Sequence, residues 1–192
     1  MPQLPPNLDA LKGREILLGV TGGIAAYKAA CLASALARAG AGVTVVMTSA
    51  AKRFVTPLVF QTLSGRPVYD SLWVSPEVHC ADHIALADRA EVVAVAPATA
   101  DLLAKAAHGI ADDLLTSTLL AVEAPLVLAP AMNERMWKHP ATQANVEVLR
   151  GRGAVLVGPK EGRLACGAEG PGRMAEPEEI LAALARTLAP KA

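Results

Sequence analysis

The sequence has no surplus of charge of either sign. Its 18 lysines and arginines balance 18 aspartates and glutamates, and the pI is about 6.9. That leaves no basic face to suggest nucleic acid and no polybasic segment to suggest anionic lipid. Cysteine is scarce too. Cys31, Cys80 and Cys166 have no CxxC spacing, which argues against a disulfide framework and a zinc site. No charge-free apolar run is as long as a bilayer span. The first residues, Met1 to Lys12, are proline-rich and polar and lack the apolar core of a signal peptide. A cytoplasmic protein is the expectation.

What is present is apolar and small. Hydrophobic residues make up 53% of the 192, charged residues 19%, and mean hydropathy is +0.35. Much of the excess is alanine and leucine, which suits tightly packed helices and leaves apolar surface for contacts between subunits. The length predicts one domain over 14–192 behind a flexible lead, 1–13.

Along the chain, apolar runs alternate with helical patterns. Strands are predicted at 15–20, 42–47, 91–96, 125–129 and 154–157. Helices are predicted at 24–38, 51–63 (interrupted near Pro57), from about 83, 102–107, 114–121, 142–150 and 175–188. This alternation predicts a doubly wound α/β fold, Rossmann-like or flavodoxin-like, with a mostly parallel sheet and helices on both faces. Ligands in such sheets bind at the carboxyl ends of the strands. Four clusters fall there: Thr21-Gly22-Gly23, Thr48-Ser49, Pro97 to Asp101, and Pro130 to Asn133.

Each cluster has two readings. Gly22-Gly23 is either a plain turn or a phosphate site at a helix N-terminus. The third glycine of the dinucleotide fingerprint is missing, and no acidic residue ends the second strand, so a dinucleotide is disfavoured. Thr48-Ser49 is a helix cap, a phosphate contact, or both. Thr116, Ser117 and Thr118 read as hydroxyls bonded to their own helix. His79 and His83 are four apart, but no third ligand is evident, so no metal is expected. His83 opens a helix with Asp82 as its predicted cap; it is either structural or an acid/base. The stretch 65–82 is a long loop. The stretch 158–174 holds five glycines, two prolines and Cys166 without a strand or helix period, and reads as a flap.

Six segments together carry a resemblance: GVTGGIAAYKA at 19–29, AAKRFVTPL at 50–58, HIALA at 83–87, APATADLLAKAAHGIADDLL at 96–115, PAMNERMW at 130–137 and ACGAEGPGRM at 165–174. They resemble the phosphopantothenoylcysteine decarboxylases of the homo-oligomeric flavin-containing cysteine decarboxylase family, over about residues 14 to 188. The resemblance implies non-covalent FMN and 4′-phosphopantothenoyl-L-cysteine as substrate in coenzyme A biosynthesis. It implies flavin oxidation of CH₂–SH to a thioaldehyde, loss of CO₂ to an ene-thiol, and re-reduction to 4′-phosphopantetheine. It gives Asn133 the substrate carboxylate, His83 an acid/base role beside flavin, and Cys166 the proton for the ene-thiol. FMN contacts fall on Thr21, Gly22, Gly23, Ser49, Thr99, Ala100, Asp101 and Ala131. Substrate contacts fall on Met132, Asn133, Gly167, Arg173 and Met174. A homo-oligomer is implied, a trimer or a trimer-based dodecamer, with a phosphopantothenate–cysteine ligase domain as a partner. Two alternatives stand: a peptidyl-cysteine decarboxylase, which needs no reducing cysteine, and a flavin-binding regulatory subunit. Cys166 argues against the first. The second would carry acidic or low-complexity extensions.

Overall fold

The computed structural model describes residues 8–74, 82–163, 167 and 169–189. Six parallel strands make one sheet: β1 (Glu15–Val20), β2 (Gly42–Met47), β3 (Val68–Tyr69), β4 (Val92–Ala98), β5 (Leu126–Pro130) and β6 (Val155–Leu156). Their order is β3-β2-β1-β4-β5-β6. The chain winds outward to β3, then crosses back to lay β4 beside β1. The order is that of the Rossmann arrangement rather than the flavodoxin one, and its reversal between β1 and β4 is where a crevice must open.

Among the described residues eight helices cover the sheet: α1 (Ala26–Arg38), α2 (Pro57–Ser64), α3 (Asp82–Arg89), α4 (Ala100–His108), α5 (Leu114–Ala121), α6 (Glu134–Lys138), α7 (Pro140–Gly151) and α8 (Pro177–Leu188). Strand side chains alternate between the faces. Ile16, Leu18 and Val20 join a core with α1, α2 and α8. Leu17, Val93 and Val95 join one with α3, α4, α5 and α7. Each such side chain taken fully out of water contributes about 1.5–3 kcal/mol. Gly19 interrupts the apolar run for a packing reason, because a Cβ there would lie 2.7 Å from Leu115 Cδ1. Its absence lets α5 settle on the sheet. Among the described residues no helix is long and apolar enough to cross a membrane.

Four expectations change. The lead is not wholly irregular, since Asp9–Leu11 forms a 3-10 turn that seats Leu11 in the core. The loop 65–82 contains β3, a two-residue edge strand fixed only by its pairing with β2. β4 runs on through Pro97 to Ala98, with a register shift after Val95 that accommodates the proline. The flap carries regular structure: β7 (Lys160–Arg163) and β8 (Glu169–Arg173) pair antiparallel as a separate hairpin. Its sequence has no apolar alternation, because the hairpin lies on loops rather than on a core.

Candidate active site

At the reversal, the loops after β1 and β4 are tied together. Thr21, buried, donates its hydroxyl to Pro97 O at 2.6 Å and lies 3.4 Å from Thr99 Oγ1. Thr99 caps α4 by accepting from Leu102 N at 3.3 Å. The β1 loop then passes close beneath the β2 loop, where a Cβ on Gly22 would lie 2.4 Å from that of Ala50. That approach needs glycine. α1 begins just beyond with no side-chain cap and no acidic residue in its first turn. Backbone N–H groups and positive dipole character therefore face the crevice, an arrangement suited to phosphate.

The PAMN loop forms the facing wall. Ala131 N donates to Ala98 O at 3.1 Å, and Met132 N donates to Gly172 O at 2.9 Å. One side of the loop is thus held by β4 and the other by the hairpin. Gly172 has φ 153°, and a Cβ on it would lie 2.2 Å from Met132 O, so no other residue permits this contact. Asn133 ends the loop and caps α6, its Oδ1 accepting from Arg135 N at 2.8 Å. The short α6 had no signature in the sequence beyond this cap.

These walls enclose a cavity of about 740 Å³. Gly22, Gly23, Thr99, Ala100, Ala131, Met132, Asn133, Arg173 and Met174 line it. Thr21 stands behind, its proton spent on Pro97. Ser49 is exposed and does not line the cavity; the capping hydroxyl is that of Thr48, which accepts from Ala51 N at 3.2 Å. Asp101 also turns away, pairing with Lys105 at 3.3 Å on the outer side of α4. Gly167 is exposed and outside the lining. His83, on the first turn of α3, is not brought to this cavity within the one chain. His79, Cys80 and Cys166 lie outside the described residues. The hydroxyls of α5 have structural roles: Thr118 bonds Leu114 O, and Thr116 completes a capping box with Asp113.

Sequence reasoning missed Lys28, Arg163 and Glu176, which also line the cavity. Lys28 is nearly buried, and its Nζ donates to Glu176 Oε1 at 2.8 Å and to Met174 O at 3.3 Å. Arg173 Nη2 donates to the same carboxylate oxygen at 2.6 Å. These bonds, that of Lys28 foremost, hold the Glu176 carboxyl below its ordinary pKa. The signal for Lys28 was a lone charge among the alanines of an otherwise apolar helix start. A second cavity, about 320 Å³ between Lys105 and Arg152, opens near the amino ends of β5 and β6, the wrong end of a parallel sheet for the ligand crevice.

The Flavoprotein family profile matches residues 6–189. The chain belongs to that family. It is 51% identical over 184 residues to the coenzyme A biosynthesis bifunctional protein CoaBC of Vibrio cholerae, a match covering 96% of this chain and 46% of that protein. The Bacillus subtilis CoaBC is also 51% identical, over 171 residues, covering 89% of this chain and 42% of that one. The flavoprotein chain thus spans less than half the length of these relatives. Among solved structures, the FMN-dependent cysteine decarboxylase SpaF superposes with TM-score 0.81 at 37% identity, covering 93% of this chain and 97% of that one. A cysteine-to-serine mutant of PPC decarboxylase complexed with pantothenoylaminoethenethiol gives 0.81 at 32%, covering 90% and 97%.

Proposed function

We propose that this flavoprotein uses FMN to decarboxylate 4′-phosphopantothenoyl-L-cysteine, giving 4′-phosphopantetheine and CO₂ in the cytoplasm. The observation that carries the reading is the docking of the hairpin on the PAMN loop through Met132 and Gly172, which puts a glycine-rich cover and Asn133 on one cavity at the sheet's reversal. The relatives' names supply the substrate class.

The residues present fit FMN. The uncapped start of α1 at Gly22-Gly23 suits its phosphate, and a cavity of about 740 Å³ has the size of a ligand site. Thr99, Ala100 and Ala131 would line its other side; Thr21 and Ser49 belong to the loops that shape the seat, and Asp101 to its outer edge. Bound FMN supplies reversible hydride chemistry at the substrate's CH₂–SH carbon. The chain does the rest. The Asn133 side chain, fixed through its cap to Arg135, donates from its amide nitrogen to the substrate carboxylate until that group leaves as CO₂. Met132, Arg173 and Met174 bound the substrate, Gly167 belongs to the segment that joins the hairpin strands, and the hairpin excludes water. Cys166 gives a proton to the ene-thiol. His83 acts as acid/base from a neighbouring copy in a trimer-based oligomer, since its own chain does not bring it to the cavity. A phosphopantothenate–cysteine ligase supplies the substrate.

The test is incubation of the purified yellow protein with phosphopantothenoylcysteine, following CO₂ by mass spectrometry. Stoichiometric CO₂ and phosphopantetheine are expected, and FMN-loaded protein that releases neither overturns the reading. Cys166→Ser is expected to accumulate the ene-thiol; a normal yield of phosphopantetheine removes the role given to Cys166.

A further inference from the structure

The described charged side chains lining the cavity are Lys28, Arg163, Arg173 and Glu176. Three cations face one carboxylate, and that carboxylate is already shared. Glu176 Oε1 accepts from both Lys28 and Arg173, leaving two positive charges in excess. Arg163 is exposed at the end of β7, and no described carboxylate pairs with it. The Arg173 guanidinium lies over Gly162, the residue before Arg163, for a Cβ there would be 3.3 Å from Arg173 Nη1. Both arginines line the one cavity, although Glu169 stands across from Arg163 in the hairpin register. A phosphomonoester dianion complements the net positive lining, and planar guanidinium forks match its oxygens.

We propose that Arg163 and Arg173 form a seat for the terminal phosphomonoester of the substrate, with Lys28 positioning Glu176 so that Arg173 is held toward the cavity. The inference rests on the function proposed above and names the group that selects the substrate. FMN carries the same chemical group. However, the neutral backbone donors at the start of α1 form a separate phosphate site at the sheet's reversal, whereas the two arginines belong to the hairpin that covers the substrate.

Two measurements test the seat. In the first, kcat/KM is compared for phosphopantothenoylcysteine and its dephosphorylated form, pantothenoylcysteine. Arg163→Ala is expected to lower the preference for the phosphorylated substrate about tenfold, the scale of one charge-assisted hydrogen bond. Arg163→Lys is expected to restore part of it. In the second, FMN-loaded protein is titrated calorimetrically with phosphopantetheine and with pantetheine. The same preference is expected, and the same loss in the alanine variant. An unchanged preference in both measurements overturns the seat, as does an equal loss on phosphorylated and dephosphorylated compounds. Weaker affinity for FMN with unchanged affinity for riboflavin assigns Arg163 to the cofactor's phosphate and also overturns it. Absence of turnover on either substrate counts against the decarboxylase alone, because the calorimetric preference decides the seat without catalysis.

Discussion

Asn133 both caps α6, through Oδ1 to Arg135 N, and faces the cavity. The two roles separate under substitution. Asp caps a helix as well as Asn does, whereas Ala forfeits about 1 kcal/mol. Asn133→Asp is therefore expected to melt within a few degrees of the parent, on the order of a few tenths of a kcal/mol, yet to lose about a hundredfold or more in kcat/KM because a carboxylate repels the substrate's own. Thermal unfolding and CO₂ release measured on the same preparation check both halves. Full activity in this variant would count against the carboxylate contact. A comparable separation applies at Thr99, where removing the hydroxyl takes away the α4 cap and the contact with Thr21. Thr99→Val is expected to lower stability by about 1 kcal/mol and to loosen the join of the β1 and β4 loops, read as faster FMN loss on dilution.

At the level of elements, the hairpin is held by two kinds of contact. One is the backbone pairing of Gly172 with Met132. Gly172→Ala places a Cβ against Met132 O and strains a backbone that favours glycine, so undocking of the hairpin is expected. Hydrogen exchange should quicken at 169–173 and stay slow in β1 and β4. The other contact is the ion pair of Arg173, at the end of β8, with Glu176, which Lys28 also pairs. Because the folded carboxyl is held below its ordinary pKa, the stability it gives is complete above the unfolded pKa and is lost as pH falls through the lower folded value. The melting-temperature gap between the parent and Glu176→Gln is thus expected to be widest near neutrality and to shrink below about pH 4. A gap independent of pH would remove the ion pair from the account. The same elements show what was legible beforehand. β1 and β2 were plain because their short, largely apolar runs mark strands buried on both faces. β7 and β8, rich in charge and glycine, carried no such mark. The Lys28–Glu176 pair joins residues 148 apart in the chain, and no local pattern encodes a partner at that range.

For the whole molecule, three of the four strand-end clusters meet at the cavity because a parallel sheet delivers its loops to one edge, whereas Thr48-Ser49 does not line it. The position of His83 was not legible, since the chain that carries it does not bring it to its own cavity. This gives a complementation test. Asn133→Asp and His83→Asn are each expected to be nearly inactive alone. Mixed by mild dissociation and reassembly, they should regain a fraction of parent activity, because some sites then combine an intact Asn133 from one copy with an intact His83 from another. No recovery from a mixture shown to contain both variants in one particle would confine each site to a single chain.

The two edge strands of the main sheet, β3 and β6, pair over only two residues each. A neighbouring chain could gain little by adding a strand at either border, so growth of the sheet from molecule to molecule is discouraged. In the oligomer proposed above, association would be directed instead to the helical flanks, where side-chain fit, not open-ended backbone pairing, sets the geometry. The trimer-based oligomer proposed above would then be a finite particle, with a reaction chamber whose construction ends when the ring of subunits closes.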